Sequence, residues 1–310
     1  MTLWVVVFVA SILALVKAAQ LFTGAAERVY CHFGMPSFIV GVTIVALGTS
    51  LPELLSSIYA VSAGSSEIVI GNVLGSNISN VFLVLGISAI LAGRMETVYN
   101  LVHVDLPFLA GSAALLAVTT WDGRFTLPEA FLCLAALVVY MLYAVATASE
   151  EGDADDDEPA RTLDRNTILI LLGSVVLLYF GARYTVESLI NISSLANIGT
   201  EIIAASAVAF GTSLPELAVS VTASRQGNKS MVIGNVLGSN IFNALGVMAI
   251  PRLFGPLALP TDMLDFALPM MVLATLLYLL ITQDKQITKW EGWLLILFYV
   301  LFIGKLFSLL

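Results

Sequence analysis

The chain has 310 residues, of which 59% are hydrophobic and only 11% are charged, and its formal net charge is −9 at pH 7. Soluble domains carry roughly 25% charged residues, so this composition excludes an ordinary soluble globular protein. Apolar runs of about 20 residues, the length that spans a bilayer, follow one another almost without interruption and predict a polytopic membrane protein.

The apolar spans predict ten transmembrane helices in two sets of five. The first set is expected at about 3–30, 36–63, 67–92, 100–119 and 126–148. The second set is expected at about 166–190, 198–224, 229–250, 262–282 and 289–309. Between the sets lies an Asp-rich stretch that cannot bury a core and is predicted to be a loop. The chain therefore divides into a five-helix unit at 1–149, an acidic loop at 150–165 and a second five-helix unit at 166–310.

The basic residues indicate how the chain is oriented, because Lys and Arg near helix ends are retained on the cytoplasmic side. With the N-terminus outside, Arg124 and Arg252 lie outside. Eight basic residues then lie on the cytoplasmic side, namely Arg28, Arg94, Arg161, Arg165, Arg225, Lys229, Lys285 and Lys289. We therefore expect both termini outside and the acidic loop in the cytoplasm of a cell-membrane protein.

An internal repeat recurs at a constant offset of 163 residues. The heptapeptide from Gly48 to Leu54, Gly-Thr-Ser-Leu-Pro-Glu-Leu, reappears from Gly211 to Leu217, and positions 43–80 match 206–243 at 23 of 38 positions. Five helices separate equivalent points, and because five is odd, the second copy must enter the membrane from the opposite side. The predicted fold is an all-α integral membrane protein of ten helices built as two inverted five-helix repeats, a design that places binding sites near the midplane.

Each copy of the repeat carries one carboxylate near the middle of an apolar span, Glu53 or Glu216. A charge at that depth costs at least about 2.5 kcal/mol, so it must be compensated. Thr49 precedes Glu53 by four residues, as Thr212 precedes Glu216, and each pair therefore shares one helix face. A structural glutamate is the alternative, but no Lys or Arg lies between the ends of these repeat helices to pair with it.

The prolines and the second motif block add further oxygens to this inferred site. Pro52 and Pro215 lack an N–H and are expected to loosen the helix and free backbone carbonyls. In the second block, Gly71 to Asn80 and its copy, two further pairs lie four residues apart, Ser76 with Asn80 and Ser239 with Asn243. The motif glycines, Asn72 and Asn235 are as compatible with tight helix packing as with ligation. Asp105, outside the repeats, is expected to lie near the membrane interface.

Carboxylates, hydroxyls and amide oxygens without imidazole or thiolate favour hard cations such as Ca2+, which takes six to eight oxygen ligands. Two glutamate charges neutralise one Ca2+, and the same site could hold Na+ instead. Such mutually exclusive occupancy is what an antiporter requires. The other functional classes are a channel with the same acidic site and an intramembrane serine hydrolase. Inverted repeats favour alternating access over the pore of a channel. A hydrolase is disfavoured because no base lies near Ser50 or Ser213.

These paired motifs resemble the sodium/calcium exchanger family of the Ca2+/cation antiporter superfamily, whose two α-repeats carry GTSLPE and GN-x-x-GSN. Here the α-repeats are at 41–90 and 204–250. The resemblance implies that Glu53 and Glu216 bind Ca2+. It also implies oxygen ligands for Ca2+ and Na+ from Thr49, Ser50, Thr212, Ser213, Ser76 and Ser239, with the carbonyls of Ala46 and Ala209. It implies electrogenic exchange in which the first and sixth helices slide across a fixed core.

The resemblance also bears on the counter-ion. Potassium-dependent relatives usually have Asp where this chain has Asn243, so we expect no requirement for K+. Calcium/proton exchangers have a second acidic residue where this chain has Gly75 and Gly238, which lowers the proton alternative. A Ca2+/H+ antiporter and a K+-dependent Na+/Ca2+ exchanger remain the alternatives. We expect a functional monomer in the lipid bilayer with no enzymatic activity, no cofactor and no nucleic-acid partner.

Overall fold

The computed structural model describes residues 2–33, 35–62, 64, 66–96, 104–151, 164–195, 213–261, 263–283 and 286–306. These residues form ten helices and one short two-stranded ribbon. The helices are α1 (Thr2–Phe33), α2 (Ser37–Ser62), α3 (Glu67–Ala92), α4 (Asp105–Thr120), α5 (Leu127–Glu151), α6 (Arg165–Leu195), α7 (Leu214–Arg225), α8 (Lys229–Arg252), α9 (Met263–Thr282) and α10 (Lys289–Leu306). The strands are β1 (Arg94–Glu96) and β2 (Gln286–Thr288).

Seven of these helices are long and apolar enough to cross a membrane, namely α1, α2, α3, α5, α6, α8 and α9. Helix α4 is apolar but shorter, α10 carries Lys289, Glu291 and Lys305 near its ends, and α7 is described only from Leu214. Within the described ranges, the helices lie close to the predicted spans. The protein is therefore a multi-pass membrane protein.

Helices α3 and α8 are the most deeply enclosed spans, and glycines allow α8 to approach α2 closely. A Cβ atom on Gly234 would lie 2.3 Å from the Phe38 carbonyl oxygen, and one on Gly238 would lie 2.3 Å from that of Val42. Carbonyl oxygens of α2 thus occupy the space of the missing side chains. Small residues have this role where helices pack in lipid.

Helices α1 and α6 pack along each other at the side of this core. The Thr185 hydroxyl donates to the Ser11 hydroxyl at 3.0 Å, and a Cβ atom on Gly181 would lie 3.2 Å from the backbone of Leu15. The outward faces of both helices expose aliphatic side chains, such as Leu13 and Leu172. Such faces are suited to lipid contact.

The loops group at two separate ends of the bundle. At one end β1 pairs antiparallel with β2, Arg94 lies opposite Thr288, and the Lys229 ammonium donates to the Arg94 carbonyl at 2.6 Å. At the other end the Arg252 guanidinium donates to the carbonyls of Phe125 at 2.7 Å and Gly255 at 3.3 Å. The segments that precede α4, α8 and α10 therefore lie together at the end that contains Arg94. The segments that precede α5 and follow α8 lie together at the end that contains Arg252.

Helix α2 is not interrupted at Pro52, where the sequence predicted that it would loosen. Pro52 lies inside a continuous α-helix, Ala46–Ser62, and the widened π turn comes earlier, at Gly41–Val45. The helix accommodates Pro52 by leaving the Gly48 carbonyl without an amide donor from that residue, since proline has no N–H. Pro215 lies in the first described turn of α7, where proline is tolerated.

Candidate cation site

Two buried carboxylates from different copies of the repeat converge in the interior. Glu53 on α2 and Glu216 on α7 are each 1% exposed, and their side chains interact electrostatically. The Ser50 hydroxyl donates to Glu216 Oε1 at 3.2 Å, and the Thr49 side chain also lies within hydrogen-bonding reach of that carboxylate. The GTSLPE segment of the first copy therefore contacts the glutamate of the second.

These carboxylates are incompletely satisfied by the protein. Among the described residues, both oxygens of Glu53 and Oε2 of Glu216 have no hydrogen-bond partner, and neither carboxylate pairs with a Lys, Arg or His. An unpaired buried charge is costly, and within a membrane it must be compensated. A bound cation would supply that compensation.

The structure places all the described members of the predicted ligand set in the interior. Every one is at most 1% exposed: Ala46, Thr49, Ser50, Glu53, Ser76, Asn80, Ser213, Glu216, Ser239 and Asn243. Thr212 and Ala209 lie outside the described residues. Within the described part of the chain a hydrogen bond joins Ser50 to Glu216, but none joins Asn80, Asn243 or Ser213 to either carboxylate.

Asn80 and Asn243 occupy matching positions in the two copies, each at the first residue of a π-helical turn, Asn80–Leu85 and Asn243–Val247. The amide nitrogen and oxygen of both residues are buried and lack a hydrogen-bond partner in the described ranges. The hydroxyl oxygen of Ser213 is also buried and lacks a hydrogen-bond partner in these ranges. Such π turns are frequent at functional sites, and buried polar atoms without protein partners indicate positions for a ligand.

Sequence reasoning missed two sets of contacts around the site. Asn77 and Asn240 bond reciprocally, because the side-chain amide of each donates to the backbone carbonyl of the other, at 3.3 and 3.4 Å. In addition, Ser57 and Ser220 accept hydrogen bonds from the amides of Asn72 and Asn235. The signal was available, since each of these residues is identical in both copies at the 163-residue offset.

Asp105, which was predicted to lie near the membrane interface, is completely buried within the protein. It begins α4, and its Oδ1 accepts a hydrogen bond from the Tyr140 hydroxyl of α5 at 3.1 Å. The carboxyl group thus links two helices. The pairing could not be read from the sequence because the partner lies 35 positions away on another span.

The donor set determines which ions the site can hold. Two carboxylates lie among hydroxyl, amide and carbonyl oxygens, and no group of three or more His, Cys, Asp or Glu side chains suited to a metal occurs in the described residues. All-oxygen sites suit hard cations such as Ca2+ rather than softer transition metals. The geometry therefore fits an alkali or alkaline-earth cation.

The family model for "Sodium/calcium exchanger protein" matches residues 3–146 and 166–307. "Sodium/calcium exchanger MaX1" of Methanosarcina acetivorans is 33% identical over 94% of this chain and 95% of its own length. The sodium-calcium exchanger NCX_Mj is structurally similar: a structure soaked with zero Na+ and Ca2+ has a TM-score of 0.85 at 31% identity and covers 98% of this chain and 99% of that one. A structure of NCX_Mj soaked with 2.5 mM Na+ and 0.1 mM Ca2+ has a TM-score of 0.84 at 30% identity, covering 97% and 98%. The chain is therefore a membrane transporter that belongs to the sodium/calcium exchanger family.

Proposed function

We propose that this protein exchanges Ca2+ for Na+ across the cell membrane by alternating access through a single buried site. The observation that carries the proposal is the meeting of Glu53 and Glu216, both fully buried, without a basic partner among the described residues. Two carboxylates balance the charge of one Ca2+. The same oxygens would hold Na+ ions in its absence, so the two substrates compete for one site.

The proposed ligand set combines charged and neutral oxygens. The carboxylates of Glu53 and Glu216 hold Ca2+, and the Asn80 and Asn243 side chains complete the shell. The other ligands are hydroxyls of Thr49, Ser50, Ser76, Ser213 and Ser239 and the carbonyl of Ala46, with Thr212 and Ala209 added by analogy between the copies. The free amide atoms of Asn80 and Asn243 support this assignment, since they have no protein partner in the described ranges.

The proposed architecture is ten transmembrane helices in two inverted five-helix repeats, 1–149 and 166–310, joined by the acidic loop at 150–165. The reciprocal contact between Asn77 and Asn240 supports a two-fold relation between the copies. The end of the bundle that carries Arg94 and Lys229 is proposed to face the cytoplasm together with the acidic loop, with both termini outside. The functional unit is proposed to be a monomer.

Alternating access is proposed to arise from sliding of α1 and α6 across the core formed by α2, α3, α7 and α8. The contact between α1 and this core supports the proposal, because the Phe22 ring of α1 lies against Gly48 in the repeated motif. A Cβ atom at Gly48 would lie 2.7 Å from that ring. Movement of α1 would therefore open or close the region directly beside the site.

We propose that exchange is electrogenic and independent of K+. Asparagine at both positions 80 and 243 gives the site two acidic groups rather than three, which leaves less charge to attract an additional K+. Proton exchange is less well supported, since the chain has glycine at both 75 and 238.

The test is Ca2+ flux in proteoliposomes of the purified full chain. An outward Na+ gradient should drive uptake of radiolabelled Ca2+, K+ should not be needed, a pH gradient alone should not drive uptake, and an imposed membrane potential should change the rate. Uptake that proceeds without any gradient of Na+ would indicate a channel and overturn the proposal.

Substitution of the carboxylates tests the site itself. Glu53→Gln and Glu216→Gln remove a buried charge without creating one, so we expect folded protein with no Ca2+ transport. Glu67→Gln, which changes an exposed carboxylate at the start of α3, is the matched control and should transport normally. Retained flux in both site variants would contradict the assignment.

A further inference from the structure

Two asparagines beside the site contact the hydroxyls of the proposed ligands. The Thr49 hydroxyl donates to Asn235 Oδ1 at 3.3 Å, and the Ser239 hydroxyl donates to the same atom at 3.5 Å. A hydroxyl group has one proton to donate and two lone pairs to offer. A hydroxyl whose proton is directed toward an asparagine oxygen keeps its lone pairs free for a cation.

Each asparagine amide is also hydrogen-bonded at its nitrogen end. Asn235 Nδ2 donates to the Ser220 hydroxyl at 2.9 Å, and in the first copy Asn72 Nδ2 donates to the Ser57 hydroxyl at 3.0 Å. Asn72 Nδ2 also donates to the Glu53 carbonyl at 3.1 Å. Because a carbonyl can only accept, the NH2 group of Asn72 must face Glu53. Its oxygen must then face the opposite way.

The oxygen of Asn72 does face a proposed ligand. The Ser76 hydroxyl donates to Asn72 Oδ1 at 3.4 Å, as the Ser239 hydroxyl does to Asn235 in the second copy. The series of hydrogen bonds from serine through the asparagine amide to the ligand hydroxyl thus recurs at the 163-residue offset. Both copies of the repeat therefore connect a ligand hydroxyl to an asparagine in the same way.

We propose that Asn72 and Asn235 are positioning residues, each of which accepts the protons of ligand hydroxyls and so directs their lone pairs toward the bound cation. This inference rests on the proposed function. It separates the asparagines of the motif into two roles: Asn80 and Asn243 have buried amide atoms without partners in the described ranges and bind the ion, whereas Asn72 and Asn235 use both ends of the amide within the protein. Groups that orient metal ligands in this way typically contribute 10–100-fold to metal affinity.

The test substitutes Ser220, which anchors the Asn235 amide and is not itself a proposed ligand. Ser220→Ala removes the acceptor of Asn235 Nδ2 and allows the amide to rotate. We expect equilibrium binding of radiolabelled Ca2+ to the purified full chain to weaken about 10-fold, with a similar loss in Asn235→Ala. Ser224→Ala is the matched control: it lies one turn further along α7 and its hydroxyl donates to the Ser88 carbonyl instead.

A thermal readout distinguishes positioning from a purely structural role. A ligand that binds only the folded state raises the melting temperature, and at a fixed ligand concentration the rise grows with the logarithm of its affinity. Ser220→Ala should therefore show a smaller Ca2+-induced rise than Ser224→Ala, whatever the melting temperature without Ca2+. The proposal would be overturned if Ser220→Ala bound Ca2+ with wild-type affinity and showed a wild-type Ca2+-induced rise in melting temperature. This result would be decisive even if Asn235→Ala failed to fold. Ca2+ binding without Na+-driven flux in the wild type would instead refute the proposed function alone.

Discussion

Substitution of Gly238 by alanine tests whether close packing of α8 on α2 sets the geometry of the site. The new Cβ atom would lie 2.3 Å from the Val42 carbonyl oxygen, 2.7 Å from Val42 Cα and 2.8 Å from Ala46 Cβ. None of these atoms can move away by rotation of a side chain. Ordinary contacts need more than about 3.4 Å, so the two helices must separate locally by about 1 Å.

The energetic consequence follows from this separation. Overpacking costs typically 1–3 kcal/mol, and contact with backbone places Gly238→Ala near the upper limit. The better helix propensity of alanine offsets about 1 kcal/mol, which leaves a net loss of about 2 kcal/mol. Metal–oxygen distances tolerate only about 0.2 Å, so a displacement of Ala46 and Ser239 by about 1 Å should also weaken Ca2+ binding.

The assay combines thermal unfolding in detergent with equilibrium binding of radiolabelled Ca2+. Gly238→Ala should melt at a lower temperature than wild type and bind Ca2+ at least about 10-fold more weakly. Gly111→Ala on α4 is the matched control, because Gly111 is exposed and a Cβ there meets nothing within 4 Å among the described residues. Wild-type melting and binding in Gly238→Ala would show that the helices do not pack as described.

Three further substitutions separate binding from stability. Asn243→Asp adds a third acidic group, so Ca2+ affinity or its pH dependence should change, and an unchanged binding profile from pH 5 to pH 9 would place that side chain outside the site. Arg252→Ala removes hydrogen bonds to two loop carbonyls, and each such bond from a charged group is worth about 1.5–3 kcal/mol. Thermal stability should therefore fall while Ca2+ affinity stays constant. A loss of Ca2+ affinity in the folded variant would contradict this prediction. Tyr140→Phe removes one donor to the buried Asp105 carboxyl and should destabilise the fold by about 1–3 kcal/mol; unaltered unfolding would show that this bond contributes nothing.

The helices could be predicted from the sequence because bilayer thickness imposes a length on each apolar span. The third span was expected at about 67–92 and is observed at Glu67–Ala92. The fourth was expected from about 100 and is described from Asp105, with 97–103 outside the described residues. The burial of the two central carboxylates was predictable for a different reason, since each lies in the middle of an apolar span and recurs at a fixed offset.

The local helix geometry and the cross-helix contacts could not be predicted in the same way. The π turns at Gly41–Val45 and Asn80–Leu85 change the hydrogen-bond pattern without altering the apolar pattern, so hydropathy does not detect them. The partners of Asn72 and Asn235 depend on which helix faces which. The sequence left packing and ligation equally open for these residues, and the contacts show that both ends of each amide are engaged within the protein.

The reciprocal bonds between Asn77 and Asn240 make the centre of this molecule comparable to the isologous interface of a homodimer, in which one surface patch contacts its own copy. Here both partners belong to a single polypeptide, so each can mutate separately. A substitution at one asparagine removes one of the two amide-to-carbonyl bonds and leaves the other in place, whereas in a true homodimer a single codon change would remove both. Covalent fusion of the two halves thus allows the centre of the protein to become asymmetric one residue at a time.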